Sequence, residues 1–318
     1  MFPLLTYFKE EPGIGLAPTS QMNSSSWVQL TAPTKSEVAK ITKAYHLPAH
    51  FLQDALDPHE RARIEEHKGN SLIIVHIPYE DDVVEDLSKE VRYKTIPLGI
   101  IQNEQQFITV CQKDTSFLYE SLTKEALLWQ NGGPTRNTLN VIKSVAHAYV
   151  AFLEEIEEAI QHTEKQLAAS YQNKELYTLL NLNESLLHMT TSLKQMKSMT
   201  EKMVYRKYLP LQDHDEDVVE DAMIELDQAH AIAEISQLNL NNVMDAYGNV
   251  IQNNVSHIVK FLTAAAIVLS VPTLVASIYG MNVPLPFQDE PYAFTALIVI
   301  MVSLSAAFTY VFYKKRYF

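Results

Sequence analysis

The chain has 318 residues, a net charge of -13 and a single cysteine, Cys111. Nucleic-acid binding would require basic patches, so the acidic balance argues against a nucleic-acid partner and favours cations. A single cysteine cannot form an internal disulfide, and nothing in the composition requires an oxidising compartment. The N-terminus has neither a basic flank nor a long apolar run. We therefore expect no signal peptide and place the N-terminal part in the cytoplasm.

Residues 1–133 are predicted to form a mixed α/β cytoplasmic domain. Residues 34–47 show a helical period, and Thr34 followed by Glu37 is typical of a capping box. A Gln-Asn-Gly-Gly-Pro break at residues 130–134 ends the domain. Three apolar runs are predicted as strands, the last two joined by a short connection: residues 70–79, 93–101 and 105–112.

The middle of the chain is predicted to be helical. Residues 134–212 show long helical patterns and are expected to form long antiparallel helices. From residue 213 onward the pattern predicts one continuous helix, because no proline occurs before Pro272 and Gly248 is the only glycine in that stretch. We expect this stalk helix, residues 213–282, to run from the cytoplasm directly into the membrane.

Two uncharged apolar runs near the C-terminus, residues 261–279 and 291–313, are predicted to span the membrane. A helix rises about 1.5 Å per residue, so the shorter run extends roughly 28 Å, close to the hydrocarbon thickness of a bilayer. The loop at residues 283–290 is acidic, whereas Lys260 and the tail at residues 314–318 are basic. By the positive-inside tendency both termini are cytoplasmic and the loop is external. Two spans cannot enclose a polar pathway, so ion passage would require an oligomer.

A seam of small and polar residues follows the predicted stalk helix at alternating steps of three and four. This is the spacing at which parallel helices meet, but a coiled coil would have Leu, Ile or Val there. Small residues also permit tight helix packing in lipid, which explains part of the seam. The seam consists of Asn242, Asp245, Asn249, Gln252, Ser256, Val259, Thr263, Ala266, Ser270, Thr273, Ser277 and Gly280.

Tight packing does not explain the amides and the carboxylate at the start of this seam, because buried polar groups need partners. A water-filled axis between several copies of the chain would supply those partners. We therefore predict that the seam lines a pore. Leu262, which lies beside the seam, is predicted to form an apolar constriction that gates by dewetting.

An acidic run begins the predicted stalk helix. Asp213, Asp217, Asp221 and Glu225 recur every four residues, where like charges repel by about 0.2–0.5 kcal/mol per pair. The helix dipole favours the first two, but the other two lie beyond the first turn. We predict that Asp217, Asp221 and Glu225 bind a divalent cation between subunits, although an acidic helix start alone explains the first of these. The acidic loop at residues 80–86 is a lesser candidate for the opposing ligands.

The tetrapeptide Tyr279, Gly280, Met281, Asn282 directly follows the first predicted span. With the short loop, the second span and the basic tail, it resembles the CorA family of magnesium and cobalt transporters. The resemblance implies an α+β cytoplasmic domain, a long stalk helix and two transmembrane helices in a homopentameric, funnel-shaped channel of the plasma membrane. It also implies a selectivity filter at Gly280, Met281 and Asn282, with a regulatory Mg²⁺ bound near Asp221. The pore-lining residues expected below this filter are Thr273, Ser270, Ala266, Leu262, Ser256, Asn249 and Asp245.

The chemistry of Mg²⁺ fits such a filter. Mg²⁺ loses its water reluctantly, so an uncharged ring of Asn282 amides suits a hydrated ion. Gly280 is expected to let the chain leave the helix, and Pro284 and Pro286 to prevent its continuation. We expect passive transport of Mg²⁺ and also Co²⁺, with divalent cations, the lipid bilayer and further copies of the chain as partners.

Other functions are poorly supported by the sequence. No phosphate-binding loop is present, so we expect no nucleotide. No HExxH motif or Cys/His array is present, so we expect no zinc enzyme. The resemblance to a family of transporters implies that the chain is not an enzyme. Two alternatives stay open: a zinc transporter of the same superfamily, and a membrane-anchored coiled-coil scaffold without transport.

Overall fold

A computed structural model of the chain contains two compact units, Met1–Asn242 and Val243–Phe318. The structure describes residues 5–11, 15–19, 27–81, 83–103, 106–124, 129–170, 173–205, 208, 215–286 and 290–317. The strands are β1 (Leu5–Glu11), β2 (Gly15–Thr19), β3 (Trp27–Thr31), β4 (Arg63–His67), β5 (Asn70–Glu80), β6 (Tyr93–Gln102) and β7 (Phe107–Cys111). The helices are α1 (Lys35–Ala44), α2 (Ala49–Ala55), α3 (Ser116–Lys124), α4 (Trp129–Ser170), α5 (Asn173–Tyr205), α6 (Glu216–Tyr279) and α7 (Ala293–Lys314).

The strands of the described chain form one sheet in the order β2-β1-β3-β7-β6-β5-β4. Neighbouring strands are antiparallel, except β3 and β7, which are parallel. The three strands predicted from apolar runs are confirmed as β5, β6 and β7. The strands at both edges of the sheet were not predicted. The edge strand β4, with the sequence RIEEH, is only half-buried, so it lacks an apolar pattern.

β5 is apolar over most of its length because helices cover both faces of the sheet. Leu72 and Ile74 belong to the core formed with α1 and α2. Ile73, which lies between them, points to the opposite face, since successive side chains of a strand alternate. On that face the hydroxyl of Tyr149 in α4 donates to the backbone carbonyl of His76, at 3.1 Å. The cytoplasmic core is therefore a sheet between two helical layers.

Short-range chemistry sets the local geometry around this core. The predicted capping box of α1 is confirmed: the backbone N–H of Glu37 donates to Thr34 Oγ1 at 3.3 Å, and the backbone N–H of Thr34 donates to Glu37 Oε2 at 2.8 Å. β4 and β5 are joined by a two-residue turn with positive φ at Lys68 and Gly69, 52° and 78°, as tight hairpins require. A side chain at Gly99 of β6 would place its Cβ 2.3 Å from that of Ala55, so glycine allows α2 to approach the sheet.

The predicted break at residues 130–134 is a kink within α4. Gly133 has φ 60° and ψ -178°, and the helix continues from Pro134. The boundary between the two compact units falls after Asn242, inside α6. The finer domain boundaries at residues 133, 212, 282 and 290 stay predictions.

The long stalk helix is confirmed as α6, which has 64 residues and extends about 95 Å. Its predicted start, Asp213, lies outside the described residues. Among the described residues α6 and α7 are long and apolar enough to cross a membrane. Their apolar side chains are largely exposed, as at Leu269 with 72% and Phe294 with 74%. The α+β domain, the long helix and the two apolar C-terminal helices agree with the fold class predicted from the sequence.

Candidate functional site

The predicted filter lies in a turn at the end of α6. The backbone N–H of Gly280 donates to the carbonyl of Ala276 at 2.9 Å, and that of Met281 donates to the carbonyl of Ile278 at 3.2 Å. The hydroxyl of Tyr279 donates to the carbonyl of Pro286 at 3.4 Å, which ties the two ends of the segment together. Asn282 is exposed within this turn. Its amide is therefore available to a ligand.

Gly280 lies in the turn that directly follows α6. We expected Gly280 to let the chain leave the helix; α6 ends at the preceding residue, Tyr279, and the φ of Gly280 lies outside the left-handed region. A Cβ at this residue would lie 3.3 Å from the carbonyl oxygen of Ala276. A side chain at this residue would fit if the neighbouring carbonyl shifted by a few tenths of an ångström.

The seam predicted to line a pore lies on the surface of α6. The hydroxyl of Ser270 donates to the carbonyl of Ala266 at 2.5 Å, and that of Thr273 donates to the carbonyl of Leu269 at 3.1 Å. Each hydroxyl proton is therefore used inside the helix, and each oxygen keeps a lone pair that can accept. Leu262 beside the seam is 58% exposed. Ser256 is half-buried, and the other predicted pore residues are exposed: Asp245, Asn249, Ala266, Ser270 and Thr273.

The acids predicted to bind a regulatory cation face a matching row of bases on α4. Lys143 Nζ lies 3.2 Å from Asp221 Oδ2, and His147 Nε2 lies 3.1 Å from Glu225 Oε2. Asp217 is exposed and makes no ion pair with any described residue. These contacts relieve part of the repulsion along α6 within a single chain. These two ion pairs were not predicted from the sequence. The four-residue spacing of Lys143 and His147, which matches that of the two acids, was the sequence feature that could have indicated them.

The acidic loop at residues 80–86, the lesser candidate for opposing ligands, is largely paired within the chain. Lys94 Nζ lies 2.9 Å from Asp81 Oδ2, and this hydrogen bond holds the pKa of Asp81 below its ordinary value. Asp86 Oδ2 lies 3.6 Å from Nζ of Lys174 on α5. Asp82 lies outside the described residues. The paired carboxylates are thus poorly placed to supply free ligands.

A second cluster of metal-binding residue types was not predicted. His50, Asp54 and Glu65 bring ligand atoms within 4.8 Å of one another. However, Arg63 Nη2 lies 2.8 Å from Asp54 Oδ2, and the same guanidinium also contacts Glu65. That hydrogen bond lowers the pKa of Glu65. The guanidinium of Arg63 therefore provides the positive charge that a metal ion would provide in this cluster. The four-residue spacing of His50 and Asp54 on α2 was the sequence feature that could have predicted part of the cluster.

Together, the fold and these sites define a membrane protein with an α/β domain, one long helix carrying a polar seam, and a second apolar helix. The profile of the CorA-like Mg²⁺ transporter protein family matches residues 23–315. The chain belongs to this family, whose members are transporters and not enzymes. The resemblance inferred from the motif at residues 279–282 is thereby confirmed.

Individual proteins agree with this assignment. The chain is 25% identical over 300 residues to the cobalt/magnesium transport protein CorA of Methanocaldococcus jannaschii, covering 91% of this chain and 90% of the relative. It shares the fold of the complete CorA structure from that organism, with a TM-score of 0.83, 21% identity and 98% coverage of both chains. The ZntB cytoplasmic domain of Vibrio parahaemolyticus matches with a TM-score of 0.60 and 8% identity, covering 78% of this chain and 98% of that domain.

Proposed function

We propose that the chain is a passive channel for divalent cations, Mg²⁺ and also Co²⁺, in the plasma membrane. Membership of the family of CorA-like Mg²⁺ transporters supports this class of substrate, as does the cobalt/magnesium transport named for the relative from Methanocaldococcus jannaschii. The ion moves down its concentration gradient and the membrane potential. That potential contributes about 2.3 kcal/mol per charge per 100 mV, and an ion of two charges gains twice as much.

The pathway is formed by several copies of the chain, and we propose five, with α6 on the inside and α7 outside. Two spans alone cannot surround an ion. The exposed apolar side chains of both helices support contacts with lipid and with other copies, because such a surface is unfavourable in water. Both termini are cytoplasmic and the loop at residues 283–290 is external, as the charge distribution indicates.

The observation that carries the proposal is the exposed polar seam of α6, which leads to an exposed amide at Asn282. A ring of Asn282 amide oxygens would accept hydrogen bonds from the water shell of the ion, with Gly280 and Met281 shaping the turn. A neutral acceptor selects without the tight binding that would trap a divalent ion. The ion would then pass the remaining pore residues, Thr273, Ser270, Ala266, Leu262, Ser256, Asn249 and Asp245.

Intracellular Mg²⁺ would close the channel at the acidic face of α6. A cation bound by Asp217, Asp221 and Glu225 would hold neighbouring subunits together. To bind Asp221 it must compete with Lys143, which lies 3.2 Å away in the same chain. When intracellular Mg²⁺ falls, the intramolecular pairs re-form, and the subunits are free to move.

The test is Mg²⁺ uptake into proteoliposomes by the wild type and by the variants Asn282→Ala and Asn254→Ala. Asn254 is an exposed amide of α6 that lies off the seam, so it controls for loss of an amide. We expect Asn282→Ala to lose most of the uptake and Asn254→Ala to retain it, with both variants as oligomeric as the wild type. Equal uptake by all three would remove the filter role of Asn282.

The same assay separates the alternatives. Uptake of Zn²⁺ without Mg²⁺ would move the chain to the zinc transporters, whose cytoplasmic domain it resembles in fold. Absence of uptake of any divalent ion by an intact oligomer would instead leave a membrane-anchored scaffold.

A further inference from the structure

A basic cleft of about 790 Å³ lies within the unit Met1–Asn242, between the start of β4 and one face of α5. Among the described residues that line it, four are basic, Arg61, Arg63, Lys194 and Lys202, and one, Glu234, is acidic. The whole chain carries a net charge of -13, so this concentration of positive charge runs against the composition. A positively charged concave surface attracts anions.

Three of the four cations are available to a ligand. Arg63 is held by Asp54 and Glu60, at 2.8 and 3.2 Å, and it also contacts Glu65, so three carboxylates surround its single positive charge. Arg61, Lys194 and Lys202 are exposed and make no ion pair within the part of the chain that the structure describes. The carboxylate of Glu234 lies 3.7 Å from Nδ1 of His230. Arg61, Lys194 and Lys202 are therefore the cations of the cleft that can bind an anion, while acids surround Arg63.

The spacing of these cations indicates the shape of the anion. Lys194 and Lys202 are eight residues apart on α5, which corresponds to about 12 Å along the helix axis. An elongated polyphosphate can contact both ammonium groups with the two side chains apart, whereas a single phosphate requires them to converge. Ile64, which is half-buried, also lines the cleft and offers an apolar contact beside the charges. The volume falls within the roughly 300–1,000 Å³ typical of small-molecule sites.

We propose that this cleft binds a soluble polyphosphate of nucleotide size, of the nucleoside triphosphate class. The absence of a phosphate-binding loop, on which we expected no nucleotide, excludes the usual machinery for coupling hydrolysis to work. The absence of this loop does not exclude nucleotide binding by a cleft that is formed by side chains from distant segments. The ligand binds electrostatically to Arg61, Lys194 and Lys202. This inference is independent of the channel proposed above.

The experiment is calorimetric titration of the full-length protein in detergent with ATP, in a buffer without divalent cations. We expect saturable binding by the wild type and at least about tenfold weaker binding by the double variant Lys194→Gln/Lys202→Gln, because each substitution removes a charge-assisted hydrogen bond to the anion. Lys197→Gln is the matched control. It removes the same charge from the same helix, but Lys197 does not line the cleft and pairs with Asp227 at 2.6 Å.

Two further titrations test the chemistry. Inorganic tripolyphosphate should bind to the same site and compete with ATP, whereas inorganic phosphate should bind at least about tenfold more weakly than ATP. Binding should weaken as salt is added, because screening reduces electrostatic attraction. Thermal unfolding of each variant checks that the fold is retained.

Several outcomes would overturn the proposal. These are the absence of saturable ATP binding to the wild type, and equal binding by the wild type and the double variant. Binding to vesicles of anionic lipid without binding to ATP would assign the cleft to a membrane surface instead. A change in oligomeric state of the double variant without ATP binding would assign it to a contact between copies of the chain.

Discussion

The two units of the chain bury their apolar residues in opposite ways. Met1–Asn242 encloses a continuous core, in which Phe51, Ile73 and Leu98 have no exposed surface. In Val243–Phe318, Ala264 is the single buried hydrophobic residue among those described, although this unit contains the most apolar runs of the chain. The first unit removes apolar surface from water by folding on itself. The second leaves that surface exposed in the single chain, where lipid and other copies would cover it in the proposed channel.

Side-chain hydrogen bonds differ in the same way. In the first unit some of them join distant segments, as where Trp27 Nε1 donates to Thr109 Oγ1 at 2.9 Å, and others stay within one helix, as where the hydroxyl of Thr200 donates to the carbonyl of Met196 at 2.9 Å. In the second unit the hydroxyls of Thr263 and Thr309 each donate to the carbonyl four residues earlier, at 2.8 Å. A helix that satisfies its own polar groups can enter a bilayer without a partner, whereas a sheet core cannot form without its distant strands. The two units therefore differ in the solvent to which they are suited, water for the first and a bilayer for the second. The same physical rules apply to both.

Removal of the second unit is the change with the largest expected effect. We expect residues 1–242 produced alone to fold and to stay in solution without detergent, because their core lies within that unit. The full chain should precipitate when detergent is removed. Gel filtration and circular dichroism of both proteins measure this. Aggregation of the shorter protein would show that its core depends on the second unit.

A matched pair of leucine substitutions compares the stability effect of a buried side chain in the first unit with that of an exposed side chain in the second. Leu98→Ala should destabilise the first unit by about 3 kcal/mol, because it leaves a cavity in a fully buried core. Leu269→Ala removes the same atoms from a side chain that is 72% exposed in the single chain, and should leave the unfolding of the first unit unchanged. Urea titration of the intact protein, followed by tryptophan fluorescence, gives both values. Equal losses would contradict the proposed division of the core.

Acidification should destabilise the first unit through His76. Its Nε2 lies 2.9 Å from the carbonyl oxygen of Glu60, whereas its Nδ1 is buried without a partner. Burial lowers the pKa of His76 below its ordinary value of 6.5. The unfolded chain therefore binds the proton more readily, and this contribution to stability is present above the ordinary pKa and is lost as the pH falls below it.

The variant His76→Gln isolates this effect, because a neutral amide can still donate to the carbonyl of Glu60. The melting temperature of the variant should change less than that of the wild type between about pH 7 and pH 5. Parallel curves for the two proteins would assign the acid sensitivity to other groups.

The smallest expected effect on stability concerns the ion pair between Lys143 and Asp221. Asp221 is 59% exposed, so Lys143→Gln should cost less than about 1 kcal/mol. It should nevertheless strengthen Mg²⁺ binding, because the competing cation is gone. We expect Mg²⁺ to raise the melting temperature at lower concentration in this variant than in the wild type. Lys197→Gln, which frees Asp227 instead, is the control, and an unchanged Mg²⁺ dependence would argue against a site at Asp221.

Much of the architecture could be predicted because its signals are local. The spans, the long helix and the central strands each depend on an unbroken apolar or helical run, and the capping box needs only Thr34 and Glu37. The seam of α6 follows from spacing along one helix. The motif that ends at Asn282 identified the family for the same reason, since its meaning lies in its position after a span.

Contacts between distant segments were decided by the tertiary structure. The parallel pairing of β3 with β7 places Trp27 beside Phe107, and no pattern in either strand predicts that register. The pairing of Lys143 with Asp221 and the convergence of Arg61 with Lys194 likewise depend on how segments far apart in sequence meet. A local sequence pattern predicts which face of a helix or strand is removed from contact with water. Only the folded chain determines which other segment covers that face, because pairing depends on the geometry of both.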